Sequence, residues 1–177
     1  NYKLSGTLAG TLQVASVAPC ELFLENAAIT ATAGPALLLT NTAKVFLVTA
    51  AGSANTLTDS STRTLKQKAA LYTAGPLVID GEGSLTVNAS YKNGIYGNDY
   101  IHVVKGTLAV NVTAKNAIGC VNGFIHDAGT LTIQATGTVT DDESKGIKVD
   151  GADTAAGAGL GYIIFNGGTV NITSVSK

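Results

Sequence analysis

The sequence predicts an all-β fold in which short strands wind into a single-stranded parallel β-helix (a solenoid) of about six coils. Three observations carry that reading. An apolar anchor recurs at Leu71, Ile95, Ile118 and Ile147, at intervals of 24, 23 and 29 residues, and an earlier pair, Leu12 and Leu37, stands 25 apart. Behind the anchors come runs of three to five residues rich in Val, Ile, Leu and Thr, separated by Gly, Asn and Asp, which is the pattern of short strands and tight corners. The composition is 45% hydrophobic but only 6% aromatic, with Ala, Thr and Gly prominent, which suits a narrow stacked core better than a globular one.

A repeat in the low twenties fits a leucine-rich repeat or a parallel β-helix. No Leu-x-x-Leu-x-Leu string occurs, so the β-helix stands. One coil cannot bury its own inward residues, and coils therefore stack about 4.8 Å apart with their backbones paired along the axis. That register predicts two inward ladders, Ile101 with Phe124 and Ile163, and Leu85 with Leu108, Leu131 and Val170. Glycines fall at corners, before Thr107, Thr130 and Thr169, where a positive φ is expected.

In chain order, Lys3-Leu4-Ser5 and Thr11 to Val14 read as an opening strand pair, and Glu21 to Leu24 with Ala28 to Thr30 complete a first coil. Leu37 to Leu39 and Lys44 to Val48 begin a second. Periodicity fails near 50–68, where a loop leaves the solenoid and 65–71 could form a helical turn. It fails again near 138–161. The 177 residues read as one domain, 1–177; the start at Asn1 with no Met anywhere reads as a processed or trimmed product, and the uncapped last coil as one whose cap has been cut off or on which another copy docks.

Net charge is −1 and Arg63 is the sole arginine, which argues against nucleic acid as a partner. No run of 18 apolar residues exists, so no membrane span is expected. Cys20 and Cys120 fall about four coils apart, roughly 19 Å, beyond the about 7 Å a disulfide allows; they read as buried free thiols. His102 is expected outward, and His126 inward beside Val103 and Phe165.

The strings Tyr2-Lys3-Leu4-Ser5-Gly6-Thr7-Leu8, Asn55-Thr56-Leu57-Thr58-Asp59 and Leu77 to Val87, with Asn93-Gly94-Ile95 and Lys145-Gly146-Ile147-Lys148, resemble a family of secreted bacterial carbohydrate-binding proteins. That family has a pectate-lyase-like, right-handed parallel β-helix and is best known from cellulolytic clostridia. The resemblance covers nearly the whole chain. It implies a right-handed solenoid, an extracellular or cell-surface location, binding of polysaccharide (cellulose or an acidic glycan), calcium binding, and no established lyase chemistry. Where the family tends to write Asp-Gly-Ile at the start of a coil, this chain has Asn93-Gly94-Ile95, Asn116-Ala117-Ile118 and Lys145-Gly146-Ile147. The acidic run usual after Leu-Thr-Asp is here Ser60 to Lys68.

Calcium takes six to eight oxygens, carboxylates among them. The candidate ligands are Asp141, Asp142, Glu143, Asp150 and Asp153, with Asn93, Asp99 and Asn116 from neighbouring coils; the alternative is a solvated acidic loop. Sugar binding asks for aromatic faces beside polar groups, and Tyr72, Tyr91, Lys92 and Tyr96 are the candidates; the alternative is ordinary half-buried turn tyrosines. Nothing pairs Arg63 or Lys92 with carboxylates by spacing, so no catalysis is expected. The competing reading is structural: a self-assembling subunit of a surface or matrix filament, stacked copy on copy through open solenoid ends.

Overall fold

In the computed structural model the described residues are 1–137, 144–151, 153–154, 157–158 and 161–175. They form strands and no helix. The strands are β1 (Tyr2–Ala9), β2 (Leu12–Val14), β3 (Cys20–Thr30), β4 (Leu37–Leu39), β5 (Val45–Thr49), β6 (Ala54–Thr58) and β7 (Ala69–Thr73). There follow β8 (Leu77–Gly81), β9 (Ser84–Ala89), β10 (Asn93–Gly97), β11 (Tyr100–Val103), β12 (Thr107–Val112), β13 (Ile118–Cys120) and β14 (Gly123–His126). The last are β15 (Thr130–Ala135), β16 (Ile147–Val149), β17 (Asp153–Thr154), β18 (Gly157–Ala158), β19 (Tyr162–Phe165) and β20 (Thr169–Ser174).

Every strand pairs in parallel with its counterpart one repeat away, apart from the small antiparallel pair β17–β18. One six-stranded sheet runs β16-β13-β10-β7-β4-β2. A second, 12-stranded sheet is curled: β3 lies at its middle, one arm running through β5, β8, β11, β14 and β19, the other through β6, β9, β12, β15 and β20. The bend falls within β3, where Asn26 takes a φ of 55°, a left-handed conformation that asparagine tolerates better than most residues. The arrangement is consistent with a parallel β-helix.

The register explains the anchors. Leu12, Leu37, Leu71, Ile95, Ile118 and Ile147 are successive partners across the six-stranded sheet, and the four middle ones are fully buried. Val45, Leu77, Ile101, Phe124 and Ile163 form a second column. Leu85, Leu108, Leu131 and Val170 form a third. Each side chain is capped above and below by its own kind, so a thin core excludes water along its length. His126 sits inward between Val103 and Phe165; its Nδ1 lies 3.0 Å from the Gly167 carbonyl, which can only accept, so Nδ1 carries the proton. At the corners Gly106 and Gly129 have φ of 94° and 83°. A Cβ on Gly129 would sit 2.1 Å from the Gly106 carbonyl oxygen, which is why the Gly-Thr corner repeats.

Three expectations are corrected. The opening strands do not pair with each other: β1 lies along β3 and β2 along β4, because parallel stacking joins residues a full repeat apart. The irregular stretch at 50–68 contains β6, which pairs with both β3 and β9; its alternation of Asn55, Leu57 and Asp59 inward was masked by polar residues at two of the three inward positions. No helical turn forms at 65–71, where Ala69 to Leu71 open β7 and Ala69, Ala70 and Leu71 are fully buried. Both cysteines are free, though Cys20 is only half-buried.

Leu108 is 2% exposed and is held between Leu85 and Leu131. Leu108→Ala should cost about 2–5 kcal/mol, measured as a lower urea midpoint at unchanged slope.

Candidate functional site

The outer side of the six-stranded sheet carries the side chains that alternate with the anchors. The residue after each anchor forms one outward row, Leu38, Tyr72, Tyr96, Gly119 and Lys148. Tyr72 and Tyr96 stack with ring centroids 6.3 Å apart and planes 13° from parallel. Above them the row drops to Gly119, where an added Cβ would meet the Tyr96 ring at 2.9 Å. The missing side chain makes room for the Tyr96 ring, which is only 8% exposed, and both residues line a cleft of about 250 Å³.

The walls of that cleft come from the preceding corner. A lysine stands three residues before the anchor in three successive repeats, at Lys68, Lys92 and Lys115. Backbone bonds from Asn93 N to the Lys68 carbonyl (2.8 Å) and from Lys115 N to the Lys92 carbonyl (3.0 Å) stack them one above another. With Lys148 they give, among the described residues, four ammonium groups interleaved with Asn93, Asn116 and one carboxylate, Asp150. Asp150 is held by Lys148 at 3.0 Å and by the Tyr96 hydroxyl at 3.4 Å. Burial pushes the Tyr96 phenol above its ordinary range, and the Asp150 charge pushes it the same way. It therefore stays a donor at neutral pH. The Lys68 ammonium lies 5.0 Å from the Tyr96 ring centroid, within cation–π range.

Of the candidate sugar-binding residues, the structure brings Lys92 and Tyr96 to the cleft and stacks Tyr72 against Tyr96, where it accepts a bond from Asn98 Nδ2 at 2.8 Å. Tyr91 lies at the neighbouring corner. Of the candidate metal ligands, only Asn93, Asn116 and Asp150 line the cleft. Asn93 Nδ2 donates to the Lys68 carbonyl at 3.0 Å, and Asn116 Oδ1 accepts from the Lys145 amide at 3.0 Å. Asp99 is elsewhere, its Oδ1 accepting from Tyr100 N and Asn122 Nδ2, both at 2.8 Å. Asp141, Asp142 and Glu143 lie outside the described residues, as does the side chain of Asp153. Among the described residues no three His, Cys, Asp or Glu side chains come together. One salt-bridged carboxylate amid four ammonium groups does not fit calcium, which needs several anionic or carbonyl oxygens free to converge.

Comparison with known proteins gives this geometry a family. A family of carbohydrate-binding domain-containing proteins matches residues 1–177. The chain belongs to that carbohydrate-binding family. No curated protein matches it. Among solved structures, the polysaccharide lyase-like protein from C. thermocellum, determined as a gadolinium derivative, is similar with a TM-score of 0.83 and 26% identity, over 96% of this chain and 67% of that one. No helix among the described residues is long and apolar enough to cross a membrane.

The carbohydrate-binding domain also carries a buried ion pair that sequence reasoning missed. Asp59 ends the inward alternation of β6, and Arg63 follows four residues later to pair with it, with side chains 0% and 4% exposed. Asp59 Oδ1 also accepts from the Ser90 amide at 2.7 Å and the Ser90 hydroxyl at 3.0 Å. Burial pushes the Asp59 carboxyl up, against those bonds and the guanidinium, which pull it down. The guanidinium carbon lies 4.3 Å from the Tyr91 ring centroid, so Arg63 covers one face of a ring expected from the sequence to meet sugar. The expectation that spacing pairs Arg63 with no carboxylate is thus corrected: Asp59 stands four residues earlier and is its partner. Elsewhere, His102 Nε2 lies 2.6 Å from Asp127, and bonds from Asn166, then His102, hold that exposed carboxyl below its ordinary range.

Asp59→Ala leaves Arg63 buried without its counter-charge and should destabilise the domain by about 3–5 kcal/mol, read as a fall in thermal midpoint. Burial pushes the Cys120 thiol up to about 12. At pH 8 roughly one molecule in ten thousand then carries the thiolate, so iodoacetamide should leave Cys120 unmodified in the native protein and label it after denaturation.

Proposed function

We propose that this protein is a non-catalytic, extracellular polysaccharide-binding module, built as a right-handed parallel β-helix whose six coils correspond to the six strands β2, β4, β7, β10, β13 and β16. The observation that carries the reading is the cleft of hydrogen-bonding groups bordered by Tyr96 of the Tyr72–Tyr96 stack. A sugar ring offers an apolar face to an aromatic ring and hydroxyls to the donors around it. Here the Tyr72–Tyr96 stack supplies the aromatic border of the cleft. The lysine ammonium groups and the Asn93 and Asn116 amides supply donors, and Asp150 an acceptor. Membership of a carbohydrate-binding family supports binding over lyase chemistry. The cleft is open along the sheet, as binding to the middle of a long chain requires.

A second reading, stacking of copies end to end, is favoured by one observation. The side chains of β19, Tyr162, Ile163, Ile164 and Phe165, are 40–48% exposed, a continuous apolar edge strand of the kind that pairs with other chains. Light scattering across a concentration series separates the two, since a binding module keeps one size.

Tyr72→Ala removes the support beneath Tyr96 and should weaken retention on polysaccharide about tenfold, ~1.4 kcal/mol, in affinity electrophoresis, with the thermal midpoint checked in parallel. Retention equal to that of the unaltered protein would overturn the assignment of the cleft. Incubation with glycan should release no unsaturated product absorbing in the ultraviolet.

A further inference from the structure

The outward face of one arm of the curled sheet is chemically unlike the rest of the surface. On β6, β9, β12, β15 and β20 three outward positions alternate with the inward ladders, and the five strands pair in register without a bulge. Of these fifteen positions eight are threonine, none is charged and none is aromatic. Ser84, Thr107, Thr130 and Thr169 form one column. Thr56, Thr86, Ala109, Thr132 and Asn171 form the next. The third is tied to itself, with Asn111 Nδ2 donating to Asn88 Oδ1 at 3.0 Å and Asn88 Nδ2 to Thr58 Oγ1 at 3.3 Å. Among the described residues no partner engages the hydroxyls of Thr86, Thr107, Thr130 and Thr132. Strand propensity does not explain this face. β-Branched residues suit strands on either arm, yet a matching outward column of the other arm reads Phe46, Val78, His102, Ile125 and Ile164. No outward position of β5, β8, β11, β14 or β19 is threonine.

We propose that this threonine face binds ice, by holding a layer of water in register with the crystal lattice. Residues within a column repeat about every 4.8 Å and neighbouring columns stand about 6.6 Å apart. The oxygen rows on a prism face of ice recur at close to these two intervals. Each threonine brings a hydroxyl that both donates and accepts beside a methyl that restricts the water around it. Ala109, in the middle of the central column, keeps the methyl. A charged side chain would orient water about itself and break the lattice, and the face has none. Other occupants fit less well. A sugar ring is held by aromatic faces and a protein partner by aromatic or arginine anchors, and these positions hold neither. None of these residues lines the lysine and tyrosine cleft, so the proposal stands independently of the polysaccharide-binding reading.

The test mixes the whole chain with serum albumin and lets both partition into slowly grown ice, while coarsening of fine ice crystals is followed under the microscope. The expected result is at least fivefold enrichment of the chain over albumin in the ice, and arrested coarsening. Thr86→Lys/Thr132→Lys should fall to the albumin level. Thr132→Tyr, which suits a strand and adds bulk without charge, should lose most of the enrichment too. Glu21→Lys, an added positive charge on the other arm, should partition as the unaltered chain does. Thermal midpoints report whether each variant folds. An unaltered chain that partitions no better than albumin would overturn the proposal. So would full enrichment of a folded lysine or tyrosine variant. Retention on insoluble cellulose that Thr86→Lys/Thr132→Lys abolishes, with no enrichment in ice, would also overturn it and reassign the face to a glycan.

Discussion

Parallel backbone pairing between strands one repeat apart is the constraint on which everything else here depends. It places each residue over its counterpart some 20 or more positions away, so side-chain chemistry is set in columns rather than at single points. Inward columns become ladders of Leu, Ile and Val, and outward columns become rows of whatever the sequence repeats. A side chain is judged by its neighbours above and below, which are of its own kind. For apolar residues this is favourable, since like packs on like without a large globular interior. For charged residues it is costly.

The two features that shape the cleft follow from this rule. Tyr72 and Tyr96 stack because they hold the same position in consecutive repeats. Gly119 interrupts the same row one repeat later, and the Tyr96 ring lies in the space that a third side chain would have filled. A row of identical residues makes a surface, and a gap in the row makes a site. The lysines come from the corner before each strand, and Lys68 and Lys92 lie over the rings of Tyr96 and Tyr91.

Elsewhere the molecule departs from the column rule, and those departures secure its loops. The chain leaves the sheet after β6 and returns at β7, and the Asp59–Arg63 pair, wedged against Ser90 and Tyr91, fastens that segment to the next repeat. Such a pair does little for overall stability compared with an apolar substitute, but it specifies where the loop lies. That loop ends at Lys68, so the position of one wall of the cleft depends on it.

Fold class, inward ladders and Gly-Thr corners were all legible in the amino-acid string, because they rest on period and hydrophobicity, which are one-dimensional properties. The spacing of Leu71, Ile95, Ile118 and Ile147 is enough to align every repeat. The lysine column is equally regular, at 24- and 23-residue intervals, but a cation repeated at a corner carries no meaning until the groups stacked around it are known. β6 was hidden because Asn55 and Asp59 occupy inward positions where an apolar residue is the expected sign of a strand. Which neighbours each tyrosine meets was settled only in three dimensions. Tyr91 and Tyr96 are five residues apart and share the same local surroundings in the chain. One lies against a guanidinium delivered by a loop 28 residues earlier, the other beside a glycine 23 residues later. Those neighbours meet through the stacking of repeats, and no local reading of either tyrosine could supply them.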